Sequence, residues 1–161
     1  MDACAAALER YLLSRIPVCA ALGVHVVQAG PECVRLTAPL ATNVNHSGTV
    51  FGGSAAAVAT LAAWSLLHLR LEAAGLRART MIQRNAMEYE RPIVGDFEAA
   101  CHLTDGPAWE RFVALLQRRG RARLHLEAQL RCGGESVGHF AGEFVALGAA
   151  FGAPDPPETP A

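Results

Sequence analysis

Residues 50–69 read VFGGSAAAVATLAAWSLLHL, and this stretch decides the fold of the 161-residue chain. No Asp, Glu, Lys or Arg occurs between Leu36 and Leu69. Residues 50–69 form a stretch long and apolar enough to span a bilayer. Its alanine-rich composition, the glycine pair at 52–53 and His68 near its end favour instead a helix buried on nearly all sides inside a soluble fold.

The long helix is predicted to continue beyond this stretch. Ala74 is its last predicted residue, because Gly75 is a common C-terminal stop. The last turns carry Arg70 and Glu72, so we expect this end of the helix to emerge into solvent.

Strand-like segments flank the long helix on both sides in the sequence. They are rich in apolar residues, some alternate regularly with polar ones, and Gly or Pro residues bound most of them. The predicted strands are residues 24–27, 33–38, 81–89, 96–103, 124–131 and 136–147. Two shorter helices are predicted, at residues 3–14 and between Gly106-Pro107 and Gly120.

This order of elements predicts how the chain folds. A sheet that must cover a helix apolar all round is expected to curl about it, which gives an α+β hotdog fold: an antiparallel sheet wrapped around a long central apolar helix. A lone curved sheet leaves an edge or a face open, so we expect a homodimer or a dimer of dimers. One domain is predicted over residues 1–148, followed by a disordered Pro-rich tail over residues 149–161.

The charge balance gives no support for a nucleic-acid partner. The chain has 14 basic and 15 acidic residues, a formal net charge of -1, whereas nucleic-acid binding requires a concentrated basic face. One basic cluster is present, and a solvated turn between a helix and a strand explains it better than a phosphate contact. It consists of Arg118, Arg119, Arg121 and Arg123.

Cysteine and histidine spacing predicts neither a metal nor a cofactor. The five cysteines are an odd number without a CxxC pair, which is untypical of a disulfide framework or a zinc site. The histidines lack ligand-like spacing with an acid or a cysteine. The N-terminus has no secretory pattern. We therefore expect a cytoplasmic protein with no membrane partner.

The loop that leads into the long helix has a recognisable pattern. Residues 43–54 read NVNHSGTVFGGS. They resemble the start of the central helix of hotdog thioesterases, in many of which His-Gly-Gly or a close variant stands where Phe51-Gly52-Gly53 stands here. The whole pattern is more similar still to YiiD C-terminal-type thioesterase domains, and the resemblance spans roughly residues 12–148. Further matching segments are Ile16-Pro17, Trp64, Tyr89-x-x-Pro92-x-x-Gly95-Asp96 and Gly120-Arg121-Ala122-Arg123.

This resemblance implies hydrolysis of an acyl-CoA or acyl-carrier-protein thioester to free acid and thiol. The reaction requires a group that polarises the carbonyl, and the N–H groups of Gly52 and Gly53 at a helix start are the candidates. The Asn45 side-chain amide is a second candidate donor. Alternatively, the two glycines serve only to let the helix pack closely on the sheet.

The group that activates water is harder to find. Many hotdog thioesterases place Asp or Glu about two turns after the glycine pair, where this chain has Thr60, and the helix offers no carboxylate before Glu72. Thr60 can orient a water but is a poor base at neutral pH. His46 is the only side chain of the loop pattern that takes up a proton near neutral pH, so it is the candidate base. The alternative is a loop histidine that caps the helix or bonds a neighbouring carbonyl.

Substrate contacts are predicted along the helix and the strand that follows it. Phe51, Trp64 and the helix alanines line an acyl tunnel or form ordinary core. Arg84 and Asn85 are candidates for contacts with the polar group of the substrate. The candidate substrate-binding residues are Asn43, Phe51, Ser54, Trp64, Arg84, Asn85 and Tyr89.

The missing helix carboxylate keeps a second class of function open. A non-catalytic acyl-thioester-binding or dimerisation module would have kept the pocket and lost the base. A hotdog dehydratase would require a histidine facing an acid of a partner chain, and no such pairing stands out in the sequence.

Overall fold

The computed structural model describes residues 3–148. The predicted tail over residues 149–161 lies outside the described residues. The helices are α1 (Ala3–Arg15), α2 (Val18–Leu22), α3 (Leu40–Asn43), α4 (Gly52–Ala73) and α5 (Pro107–Arg119). The strands are β1 (His25–Ala29), β2 (Cys33–Ala38), β3 (Ala78–Tyr89), β4 (Phe97–His102), β5 (Arg121–Cys132) and β6 (Glu135–Gly148).

All six strands form one antiparallel sheet in the order β1-β2-β4-β5-β6-β3. The long helix α4 packs against β2, β3, β4, β5 and β6, so the sheet wraps around it. This arrangement confirms the predicted hotdog fold with a central helix.

The composition of α4 explains its central position. Ala55, Ala59, Ala62 and Ala63 are fully buried, and such small side chains let strands approach the helix axis closely. Among the described residues α4 is the one helix long and apolar enough to cross a membrane, yet 61% of its apolar window is buried inside the fold. That burial is what a core helix of a globular domain shows.

The sheet strands have one face toward α4 and one toward solvent. In β5 the residues alternate between exposed and buried, with Leu124, Leu126 and Leu130 facing the core. Helix α5 buries the side chains of Phe112 and Leu116.

The C-terminal end of α4 differs from the prediction. Arg70 is only 5% exposed, so the expectation that this end emerges into solvent is wrong for Arg70, although Glu72 is exposed. The Arg70 guanidinium donates to the carbonyls of Pro31 (2.9 Å) and Leu103 (2.8 Å) and pairs with Asp105. These hydrogen bonds and the ion pair compensate for the water that the guanidinium loses on burial.

Candidate functional site

The loop before α4 is held in shape by one side chain. The Asn45 Oδ1 accepts the N–H groups of Ser47 (2.8 Å) and Thr49 (3.2 Å). Its Nδ2 donates to Thr49 Oγ1 (2.9 Å) and to the Val50 carbonyl (3.3 Å). Both ends of the Asn45 amide are thus engaged within the loop. Its role as a donor to substrate stays a prediction. In that role the Nδ2 group would have to give up its hydrogen bond to Thr49 Oγ1 or to the Val50 carbonyl.

Asn43 connects this loop to the body of the domain. It is 2% exposed, and its Nδ2 donates to the carbonyls of Leu22 (2.8 Å) and Pro39 (2.7 Å). Its own carbonyl accepts the Phe51 N–H at 2.7 Å. The Oδ1 is buried and has no hydrogen-bond partner within residues 3–148. Asn43 therefore anchors the start of α4, and its contact with substrate stays a prediction.

The first turn of α4 presents unpaired backbone N–H groups. Phe51 is the N-cap residue in an extended conformation (φ -62°, ψ 128°), and no side chain caps the helix. The first helical bond runs from the Ala55 N–H to the Phe51 carbonyl at 3.1 Å. The N–H groups of Gly52, Gly53 and Ser54 therefore lack an acceptor among the described residues. They lie at the positive end of the helix dipole, where an oxyanion is stabilised.

Two aromatic rings explain why this turn begins with two glycines. A Cβ atom on Gly52 would lie 3.1 Å from the Tyr89 hydroxyl oxygen, and one on Gly53 would lie 2.4 Å from Cε1 of Phe51. The Tyr89 hydroxyl donates to the Gly52 carbonyl at 2.7 Å. The glycines thus also have a packing role, because the absence of a Cβ atom makes room for the Phe51 and Tyr89 rings. Since both rings are more than half exposed, the N–H groups are not sealed inside the core.

A cleft of about 410 Å³ adjoins the helix start. Its walls come from the end of the loop and from the Tyr-x-x-Pro segment, so the two matching sequence patterns meet at one place. Desolvation raises the pKa of Tyr89 above its ordinary value. The lining residues are Thr49, Val50, Gly52, Tyr89, Glu90, Arg91, Pro92 and Ile93.

Several of these cleft residues were not among the predicted site residues. The Ile93 carbonyl accepts the Val50 N–H at 2.8 Å, which ties the Tyr-x-x-Pro segment to the loop. Glu90 and Arg91 lie inside that motif, so its spacing was a signal for them. Thr49 lies inside the loop pattern itself.

The two candidates for water activation, His46 and Thr60, differ in their hydrogen bonds to the rest of the protein. His46 is exposed and forms no hydrogen bond or ion pair with the described residues. The Thr60 hydroxyl donates to the Ala56 carbonyl at 2.8 Å. Thr60 can therefore accept a hydrogen bond from a water but has no free hydrogen to give.

Trp64 belongs to a stack of three rings, with Tyr11 of α1 and His68 of α4. Its ring centroid lies 6.1 Å from that of Tyr11 and 5.0 Å from that of His68. The indole Nε1 donates to the Thr80 carbonyl at 3.2 Å. Trp64 is half-buried, so its place in an acyl tunnel stays a prediction.

Arg84 and Asn85 are both exposed on β3, and neither lines the cleft. Arg84 lies 3.9 Å from the Glu143 carboxylate. Ser54, by contrast, is half-buried in the first turn of α4. Within residues 3–148, no group of three or more His, Cys, Asp or Glu side chains is arranged as a metal site.

The curved antiparallel sheet and the long central helix that it wraps define a protein of the hotdog-fold class. The family model described as "Putative thioesterase (yiiD_Cterm)" matches residues 5–148, and the chain belongs to this family. The resemblance to YiiD C-terminal-type domains is thereby confirmed.

Solved structures agree with this assignment. A protein of unknown function from Chlorobaculum tepidum is 25% identical, with a TM-score of 0.84, over 89% of this chain and 94% of that one. The "putative thioesterase from Shewanella oneidensis" is 26% identical, with a TM-score of 0.80, over 91% and 99% of the two chains. A Pseudomonas aeruginosa protein described as "Probable Thioesterase" is also 26% identical, with a TM-score of 0.77, over 89% and 95%.

Proposed function

We propose that this protein hydrolyses an acyl-CoA or acyl-carrier-protein thioester to a free acid and a thiol. The observation that carries the proposal is the uncapped first turn of α4, whose N–H groups at Gly52 and Gly53 have no acceptor among the described residues and adjoin a cleft. Membership of a thioesterase family supports it.

The proposed reaction uses these groups in turn. The thioester carbonyl oxygen accepts hydrogen bonds from the Gly52 and Gly53 N–H groups, which stabilise the negative charge of the tetrahedral intermediate. His46 takes a proton from water, whose oxygen forms the new bond to the carbonyl carbon. The C–S bond then breaks, and the thiolate receives that proton. The Thr60 hydroxyl oxygen orients the water by accepting a hydrogen bond from it.

We propose further that the working form is a homodimer joined through β3. The two sheet edges differ, because β1 has only five residues and its Val26 N–H is already donated to Glu9 of α1 at 2.7 Å. Strand β3 has twelve residues, and among the strands that the structure describes only β6 pairs with it. A long open edge of this kind is a template for pairing with a second strand. Sedimentation velocity tests it: a monomer at micromolar concentration contradicts the proposal.

A second candidate, the non-catalytic acyl-thioester-binding module, also has an observation in its favour. The first carboxylate of α4 is Glu72, which is exposed near the opposite end of the helix from the glycine pair. The Thr60 hydroxyl is engaged with Ala56. A protein with this site would hold a thioester at the N–H groups and release it unchanged.

A matched pair of substitutions at Gly52 tests the N–H role. Gly52→Pro removes one N–H from the first helical position, where proline is favoured, and the extended Phe51 before it is compatible with proline. Gly52→Ala adds a Cβ in the same place, facing the Tyr89 hydroxyl, and keeps the N–H. Thiol release is measured with acyl-CoA and acyl-carrier-protein substrates of graded chain length.

We expect Gly52→Pro to lower kcat at least about 100-fold relative to Gly52→Ala. Equal activities in the two variants would remove the Gly52 N–H from the mechanism. His46→Ala should lower kcat by a similar factor, and unchanged turnover would leave the enzyme but not His46 as its base. Binding of acyl thioesters without any turnover would establish the second candidate instead.

A further inference from the structure

The sheet brings a further arginine beside the basic cluster of the α5–β5 turn. Arg121 of β5 pairs with Leu147 of β6, and Leu147 pairs with Arg79 of β3. Directly opposed residues face the same side of a sheet, so Arg79 and Arg121 project from one face with Cα atoms about 10 Å apart. That face is the outer one, because Ala122 and Leu124 are buried on the side of α4.

We call these residues the arginine patch. Arg118 and Arg119 end α5, and the Gly148 N–H donates to the Gly120 carbonyl at 2.8 Å, which fixes the turn against the end of β6. The patch comprises Arg79, Arg118, Arg119, Arg121 and Arg123.

Four members of the arginine patch, Arg118, Arg119, Arg121 and Arg123, have no carboxylate partner among the described residues. No Asp or Glu occurs between Glu110 and Glu127. Within residues 3–148, none of the four patch arginines from 118 to 123 forms an ion pair, and Arg123 bonds only the neutral Gln83 side chain at 2.9 Å. Other surface arginines of the same domain, such as Arg35, do pair with carboxylates. Five of the chain's 14 basic residues thus lie in one place, although the whole chain has a net charge of -1.

An exposed methionine lies beside these cations on the same face. Arg123 pairs with Val145, which is only 6% exposed, and Val145 pairs with Met81, which is 42% exposed. Arginine and methionine are both enriched at protein interfaces. The patch contains no aromatic ring on which a nucleotide base would stack. These features favour an acidic protein surface as the partner.

We infer that the arginine patch docks an acidic carrier protein that presents the acyl thioester. The inference rests on the proposed function and narrows it, because it makes the substrate carrier-bound. Within one chain the patch is remote from the helix start, since Arg79 and Tyr89 are about 33 Å apart along β3. Antiparallel pairing of two β3 edges sets the beginning of one strand beside the end of the other. In the dimer proposed above, the patch of one copy would therefore lie toward the helix start of the other.

Charge reversal tests the docking surface. The variant Arg121→Glu/Arg123→Glu is compared with Arg10→Glu/Arg15→Glu, which makes the same charge change on exposed residues of α1. Full-length protein is assayed with an acyl carrier protein substrate and with the matching acyl-CoA. We expect the patch variant to lower kcat/KM for the carrier substrate at least about tenfold, through KM, and to change the acyl-CoA value less than about twofold. The wild-type carrier activity should fall with added salt, and that of the variant should not.

Direct binding separates the failure of this inference from that of the proposed function. Fluorescence anisotropy of a labelled acyl carrier protein reports docking even when nothing is hydrolysed. If the patch variant binds the carrier protein as tightly as wild type, the inference is overturned. The proposed hydrolysis of acyl-CoA would remain valid in that case. An equal loss for acyl-CoA assigns the arginines to its phosphates instead. If wild type binds a labelled RNA oligonucleotide, the variant does not, and carrier binding is unchanged, the patch is a nucleic-acid site instead.

Discussion

The two ends of α4 are built in opposite ways. At the C-terminal end, Gly75 in the left-handed conformation and the buried Arg70 close the helix with several hydrogen bonds. At the N-terminal end no side chain caps the helix, and exposed rings lie on the glycine pair. A helix optimised for stability would be capped at both ends. The free hydrogen-bonding capacity of the N-terminal end is the feature on which our proposed function depends.

Loss of the Arg70 side chain should have the largest effect on stability. Arg70→Met keeps much of the aliphatic volume but leaves the Pro31 and Leu103 carbonyls without their donor and removes the cation 4.6 Å from the Trp109 ring centroid. We expect the free energy of unfolding to fall by about 3 kcal/mol, measured by urea denaturation.

Two controls determine which contacts of Arg70 matter. Arg15→Met removes an exposed arginine and should change the free energy of unfolding by less than about 0.5 kcal/mol. Asp105 is 86% exposed, so Asp105→Asn should also have a small effect, because a solvated ion pair contributes little. A loss below about 1 kcal/mol in Arg70→Met would show that this end of α4 does not depend on the buried cation.

A cap added to the N-terminal end should stabilise the fold and abolish activity. In Phe51→Asp the residue already has the extended backbone of an N-cap, so the new carboxylate can accept the Gly53 or Ser54 N–H. We expect a gain of about 1 kcal/mol in the free energy of unfolding and loss of thioester hydrolysis. Phe51→Ala is the control, since it removes the ring without supplying an acceptor. A capped variant that retains full activity would contradict the assignment of these N–H groups to the substrate.

The same comparison shows what the sequence could predict. The length of α4 and its central position follow from an apolar composition that is local to residues 50–69, and the glycine pair marks the helix start directly. The burial of Arg70 could not be predicted, because its acceptors at Pro31 and Leu103 are 39 and 33 positions away. A charged residue beside Glu72 at a helix end is typical of a solvated terminus. Only the tertiary fold supplies the carbonyls that reverse this expectation.

In the candidate site too, local features could be predicted from the sequence and contacts between distant residues could not. The loop pattern located the unpaired N–H groups because the boundary between loop and helix is a local feature. The contact between Gly52 and Tyr89 spans 37 positions, so the reason for a glycine there could not be read from the loop. Asn45 was predicted as a donor to substrate, but its neighbours Ser47, Thr49 and Val50 already satisfy its amide.

Removal of the Tyr89 hydroxyl should give the smallest change. Tyr89→Phe keeps the ring on Gly52 and deletes one hydrogen bond to its carbonyl, so we expect a loss of about 0.5–1 kcal/mol in the free energy of unfolding. Because desolvation raises the folded-state pKa of Tyr89, the hydroxyl contributes fully below its ordinary pKa of 10.0, and this contribution is lost as the pH rises through the folded value. The difference between wild type and Tyr89→Phe should therefore be constant from pH 7 to about 9 and shrink above about 10. A difference that grows with pH would mean that ionised Tyr89 stabilises the helix start, contrary to the contact with the Gly52 carbonyl.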